Sequence, residues 1–214
     1  MSIAILFNGP AGCGKDTLAK LLVAKLNNWH RQHPARRANH REFKEALFSM
    51  ALALSGLTQH EWDYLYHRDR KELPTPLLGG YSPRGFLIHI SETIIKPMYG
   101  TDAFGKRALK KTVDNPGQYH VFSDSGFLSE AVALTERHHV VVFRLFREGY
   151  TFDGDSRNYI NPEAAGQYDI VVHDIVLQEG NPHPAIEEVM NAVCEDYRKR
   201  MALVRTAVEG ALHD

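Results

Sequence analysis

The sequence predicts an α/β fold in three layers: a mostly parallel five-stranded sheet flanked by helices, with a small helical region and a polar insert attached. Three observations predict it. A glycine-rich turn lies between an apolar run and an amphipathic one near the start of the chain. Short apolar runs then alternate with helical periods, the pattern of a parallel sheet covered on both faces. Polar residues fall at the carboxyl ends of the expected strands, where such sheets bind ligands. A chain of 214 residues holds one such domain with a well-buried core and is too short for two of ordinary size, so 1–214 reads as a single domain.

The elements follow in order. Residues 3–8 are an apolar run ending in Asn8, a buried strand. After the glycine turn, Leu18, Leu21, Leu22, Ala24 and Leu26 recur at helical spacing until the polar stretch 27–32. A short strand is expected at 36–41, and a helix over 43–57 with Ala46, Leu47, Met50, Ala51 and Leu54 inward and Gly56 at its end. Residues 60–78 mix aromatics with charges and close on Pro74, Pro76, Gly79 and Gly80, a helix followed by an exposed loop. Ser82 suits an N-cap and Pro83 the first helical position of a run reaching about Ile95, with Pro97 and Gly100 as punctuation. A helix over 102–112, a strand at 119–124 ending in Asp124, a helix over 130–138 and a strand at 139–144 ending in Arg144 come next. A polar insert at 148–167, a short strand at 169–172 and one long helix or two over 186–212 complete the chain.

Composition excludes several classes. A formal net charge of -1, with 24% charged and 43% hydrophobic residues, gives no basic excess for a nucleic-acid polymer. The first seven residues are apolar without a basic stretch before them, a strand rather than a signal peptide. No stretch approaches the roughly 20 apolar residues of a membrane span. Cys13 and Cys194 are too few for a disulfide framework, so a cytoplasmic protein is expected. The 12 histidines are scattered without zinc-site spacing. A homodimer is compatible with this sequence, which carries no signal for or against one.

Chemistry concentrates in Gly9-Pro10-Ala11-Gly12-Cys13-Gly14-Lys15-Asp16-Thr17. The spacing of Gly9, Gly14 and Lys15 is that of a phosphate loop: glycines let successive N–H groups turn inward around phosphate oxygens, and the next helix adds its N-terminal partial charge. Ala11, Gly12 and Cys13 keep the loop small, and Lys15 is placed to reach the β- and γ-phosphates. Asp16 stands where a hydroxyl residue is usual. A carboxylate beside a polyphosphate either binds magnesium, directly or through water, or faces away; Thr17 then serves as hydroxyl ligand or phosphate donor. Asp124, at a strand end, is a candidate for the Mg²⁺ shell.

Several short pieces then point one way: Gly14-Lys15-Asp16-Thr17, Phe43-Lys44-Glu45-Ala46-Leu47, Lys71-Glu72 with Gly80-Tyr81-Ser82-Pro83-Arg84, Gly100-Thr101-Asp102, Ser123-Asp124 with Phe127 and Glu130, and Tyr168-Asp169-Ile170-Val171. Together they resemble the deoxynucleoside monophosphate kinases of bacteriophages, in the P-loop nucleoside monophosphate kinase superfamily, over nearly the whole chain. The resemblance implies a P-loop kinase fold and ATP-dependent, Mg²⁺-dependent phosphorylation of a deoxynucleoside 5'-monophosphate, in the host cytoplasm if the chain is of phage origin. It implies an acceptor-binding region at about 36–112, in which Lys44 and Arg84 grip the acceptor phosphate and Phe43 covers base or sugar. It also implies a lid at about 147–167, with Arg144, Arg147 and Arg157 as candidates to act on the transferred group. Glu72 and Glu92 are candidates for a base edge. Asp124-Ser125-Gly126-Phe127 departs from the Asp-x-Arg-Phe pattern of relatives, so one phosphate contact is missing from its usual place. A kinase for another phosphorylated acceptor, of the phosphomevalonate or dephospho-coenzyme A type, and a nucleotide-dependent switch stay open as alternatives.

Overall fold

Five strands, Ser2–Asn8 (β1), Ala38–Arg41 (β2), Tyr119–Ser125 (β3), His138–Phe146 (β4) and Val171–Val176 (β5), run parallel in the order β2-β3-β1-β4-β5. The computed structural model describes residues 2–155 and 157–211, without the side chains of 34 and 203–211. The helices are α1 (Lys15–Trp29), α2 (Glu45–Ser55), α3 (Gln59–Leu65), α4 (Pro83–His89), α5 (Lys96–Tyr99), α6 (Ala103–Asp114), α7 (Leu128–Leu134), α8 (Pro162–Gly166) and α9 (His183–Ala211). Short 3-10 turns lie at Pro34–Arg36 and Pro76–Leu78, and a π turn at Ile90–Ile95.

Alternation along β1 sends Ile3, Ile5 and Phe7 to one face and Ala4 and Leu6 to the other. The first set packs with Leu18, Leu22 and Leu26 of α1 and Ile186, Val189 and Val193 of α9. The second packs with Ala108 and Leu109 of α6 and Ala131 and Leu134 of α7. Each large apolar side chain buried this way stabilises the fold by about 1.5–3 kcal/mol, so the central strand is fixed from both sides. A separate apolar cluster around Trp62, which is fully buried, joins Ala51, Leu78, Leu87, Ile90, Ile95 and Phe104. It gives the helical block α2 to α5 its own core, set beside the carboxyl ends of β2 and β3.

Local chemistry explains the boundaries. Gly56 ends α2 with φ 69°, and Ser82 caps α4 by accepting from the Gly85 N–H at 3.0 Å, with Pro83 in the first turn. The helical run does not stop at Ile95. It passes through the π turn, where the Lys96 N–H reaches back to Ser91 O, and continues as α5 to Tyr99 with Pro97 in its first turn. A proline costs little where the regular hydrogen-bond ladder has already been interrupted.

Three other expectations shift. The helix expected over 130–138 starts at Leu128 and ends at Leu134, because His138 already pairs in β4 opposite Ser2. β4 runs two residues past Arg144, so that arginine lies inside the strand. β5 begins at Val171 because Asp169 takes a left-handed turn, φ 58°. The chain closes with one long helix; its expected end at residue 212, like residue 156 of the insert, lies outside the described residues. No helix among the described residues is long and apolar enough to cross a membrane.

Candidate functional site

The turn between β1 and α1 has the backbone its glycines were expected to supply. Gly12 and Gly14 adopt φ 78° and 117°, where an L side chain is strained, and a Cβ on Gly9 would lie 3.0 Å from Leu145 O. Cys13 packs beneath the loop, and burial pushes its thiol up, so it stays protonated as a small apolar filler. Lys15 is 8% exposed; its ammonium donates to Gly9 O at 2.6 Å and Pro10 O at 2.5 Å. Burial lowers its proton affinity.

A cavity of about 660 Å³ opens from this loop toward the helical block. Ala11, Gly12, Lys15 and Asp16 line its loop end, and Phe43, Lys44, Arg84, Asp124 and Arg157 line the rest. Thr17, Arg144 and Arg147 are outside that lining. Apolar walls come from Leu47, Leu87, Phe104 and Phe127.

Asp124 is placed by direct pairing of β3 with β1. Its two oxygens accept the backbone N–H groups of Phe43 at 2.8 Å and Lys44 at 3.0 Å, so it fixes the β2–α2 connection. Burial raises its pKa against those donors. Phe43 stacks on Phe122 with ring centroids 4.6 Å apart, at once a core and a cavity-wall residue. The Lys44 ammonium pairs with Glu42 at 2.9 Å; burial opposes its charge, but Glu42 and Asp124 outweigh burial and hold it above its ordinary value.

Asp16, His40 and Glu42 bring ligand atoms within 4.8 Å of one another. The two carboxylates suit a hard cation such as Mg²⁺, whereas the imidazole does not, and His40 Nε2 is already hydrogen-bonded to Ser123 Oγ at 2.9 Å. Glu42 escaped notice in the sequence because nothing distinguishes it from a surface glutamate until β2 ends beside the phosphate loop.

The three arginines expected to act on the transferred group part company. Arg144 sits directly opposite Asp174 in the β4–β5 register and makes a bidentate pair with it at 2.6 and 2.7 Å. Arg147 pairs with Glu179 at 3.1 Å and lies over the Tyr150 ring. Arg157 alone enters the cavity. Its side chain crosses Gly126, where a Cβ would stand 2.4 Å from Arg157 Cδ, so the residue that departs from the Asp-x-Arg-Phe pattern is the one that makes room for Arg157. The segment behind it is anchored: buried Asn8 donates to Asn158 O at 3.0 Å and accepts from the Ile160 N–H at 2.8 Å. The Tyr159 hydroxyl donates to Leu145 O at 2.9 Å.

Arg84, in the first turn of α4, faces the same space, with Glu72 at 3.3 Å and Asp155 at 3.4 Å. Glu92 lines the cavity, paired with Lys96 at 2.6 Å, but Glu72 stands outside that lining. Among the lining residues not singled out from sequence are Arg68, whose guanidinium is 3.7 Å from where a Gly12 Cβ would be, and Asp155. Arg68 sits in a charged stretch that reads as solvated surface, and only the fold brings it over the phosphate loop.

No protein family matches the sequence, and no curated protein does. Among solved structures, the chain is similar to a plasmid partition protein from Borrelia burgdorferi at 13% identity and a TM-score of 0.39, over 89% of this chain and 86% of that one. It is also similar to the signal recognition particle receptor SRb-GDP-Mg from Chaetomium thermophilum at 9% identity and a TM-score of 0.25, over 87% and 98% of the two chains. Likenesses this loose add nothing to what the sheet order and the loop geometry already say.

Proposed function

We propose that the cavity is a two-phosphate site in which ATP on the phosphate loop phosphorylates a deoxynucleoside 5'-monophosphate, giving the diphosphate by direct in-line transfer. The observation that carries this reading is the convergence of Lys15 with Lys44, Arg84 and Arg157, from four separate parts of the chain, on one cavity with apolar and aromatic walls. A polyphosphate needs the loop, a second phosphate needs fixed cations of its own, and a nucleoside needs the apolar walls.

In this reading residues at about 36–112 bind the acceptor and 147–167 close over it as a lid. Lys15 leaves the Gly9 and Pro10 carbonyls for the donor's β- and γ-phosphates. Lys44 and Arg84 hold the acceptor phosphate, and Phe43 forms a wall for base or sugar. An oxygen of the acceptor phosphate, ionised near neutral pH, attacks the γ-phosphorus, so no general base is required. Arg157 spreads the charge on the transferred group, and the lid keeps water from competing. Magnesium supplies charge neutralisation on the donor phosphates when bound. Asp16 and Glu42 would hold it, with Asp124 behind them, while Thr17 is exposed beside the loop. Arg144 and Arg147 are given structural parts, because their guanidinium groups are matched to Asp174 and Glu179.

The test is acceptor profiling with Mg-ATP and product chromatography. Deoxynucleoside diphosphates are the expected products. Turnover of phosphomevalonate or dephospho-coenzyme A, with none of any nucleoside monophosphate, would replace this reading by another P-loop kinase.

A further inference from the structure

Asp155 has no part in the transfer scheme, yet its carboxylate stands between the two arginines assigned to the phosphates. Oδ2 accepts from Arg157 Nη2 at 2.6 Å and from Arg84 Nη2 at 3.4 Å, while Oδ1 accepts from Arg157 Nε at 3.0 Å and from the Arg157 backbone N–H at 3.1 Å. The side chain is only 8% exposed and lines the cavity. Burial would raise its pKa, but the hydrogen bonds and charge of Arg157 bring it down to about 2, so it is an anion at any working pH. One carboxylate thus bridges two guanidinium groups from separate elements, as the oxygens of a phosphate would. The two bonds are unequal: the Arg157 fork is short and doubled, whereas the Arg84 contact is long and single.

We propose that Asp155 is the specificity-determining residue of the acceptor site: its carboxylate occupies the acceptor phosphate's place on Arg84, and only a dianionic phosphate monoester displaces it. The proposal rests on the reading that Arg84 holds the acceptor phosphate while Arg157 serves the transferred group. A monoanion, such as a phosphodiester or a carboxylic acid, replaces one negative charge by another and gains nothing electrostatically at Arg84. A monoester above its second pKa of about 6 brings nearly two charges and more acceptor oxygens. Asp155 then keeps its fork on Arg157 and surrenders only the long contact. The site therefore selects a terminal phosphate, a property Lys44 and Arg84 alone would not confer, since both attract any anion.

Binding of methyl phosphate and dimethyl phosphate, measured calorimetrically at pH 8 on the full chain with its phosphate loop filled by Mg-ADP, tests this. The native protein is expected to bind the monoester at least about 10-fold more tightly than the diester. Asp155→Asn should shrink that ratio several-fold by strengthening diester binding, and Asp155→Glu should restore it; Asp155→Ser serves if the asparagine variant does not fold. An unchanged ratio, or equal weakening of both esters, would overturn the proposal and leave Asp155 as a brace for Arg157. Neither ester is a substrate in this measurement. Absence of transfer to deoxynucleoside monophosphates would thus remove the kinase reading and leave ester discrimination standing, whereas equal ester binding with transfer intact would remove only the role of Asp155.

Discussion

In the proposed transfer Lys15 and Arg157 hold most of the chemical weight, and they differ in how far the sequence announced them. Lys15 follows from contiguous spacing, because the loop that uses it is built from its immediate neighbours. Lys15→Ala should retain the fold and lower phosphoryl transfer by about 100-fold or more, the scale for losing one preorganised charge at a developing transition state. Unaltered steady-state rates would remove the loop from the chemistry. Arg157 was only one of three candidates, since its selection depends on Gly126, 31 residues earlier in the chain and without a side chain to announce anything. Gly126→Ala places a methyl group against Arg157 Cγ and Cδ at 2.5 and 2.4 Å. We expect kcat to fall by up to about 100-fold, more than the ATP KM changes, as an ångström's displacement of a positioning group can produce. Full activity in that variant would show that Arg157 does not act where it lies.

At the level of elements, boundaries set by local chemistry were legible and those set by neighbours were not. Ser82-Pro83 opens α4 as its residues dictate, and Arg84 owes its position to that start. Ser82→Ala should therefore cost about 1 kcal/mol in denaturant unfolding. It should also raise the acceptor KM more than the ATP KM; equal shifts in both would detach Arg84 from the acceptor. β4 could not be read to its end, because pairing with β5 extends it and turns Arg144 toward Asp174, a match that exists only in the three-dimensional register. Gly105 is another such case. Within a helix it reads as a weak point, but a Cβ there would be 2.8 Å from Glu130 O, so it allows α6 to pack closely on α7.

For the molecule as a whole, buried titratable groups set an optimum pH. Burial lowers His120 and His138 to about 4 from 6.5. The His138 ring nitrogens lie 2.7 Å from Ser2 Oγ and 2.7 Å from Thr112 Oγ1, partners that suit a neutral ring. Between those values the unfolded chain binds more protons than the native one, so stability falls as pH falls below 6.5. Burial raises Glu130 to about 8 from 4.5, and here the native state keeps the proton, so stability falls as pH rises through that interval. Below 6.5 two histidines outweigh one glutamate, and above it the glutamate acts alone. Tm measured against pH should peak near 6.5; a steady rise to pH 8 would contradict this balance.

Asp124 and Asp155 line the same cavity as Lys15, Arg84 and Arg157, so the proposed transfer would run in a balance of opposed charges around two phosphates. The most direct measurement of that arrangement is the initial rate of ADP formation with Mg-ATP and a deoxynucleoside monophosphate varied together. Rates that depend on the monophosphate, with intersecting double-reciprocal lines, are expected for donor and acceptor held side by side. Parallel lines, or ADP formation indifferent to every monophosphate, would contradict direct transfer between two phosphates in one cavity.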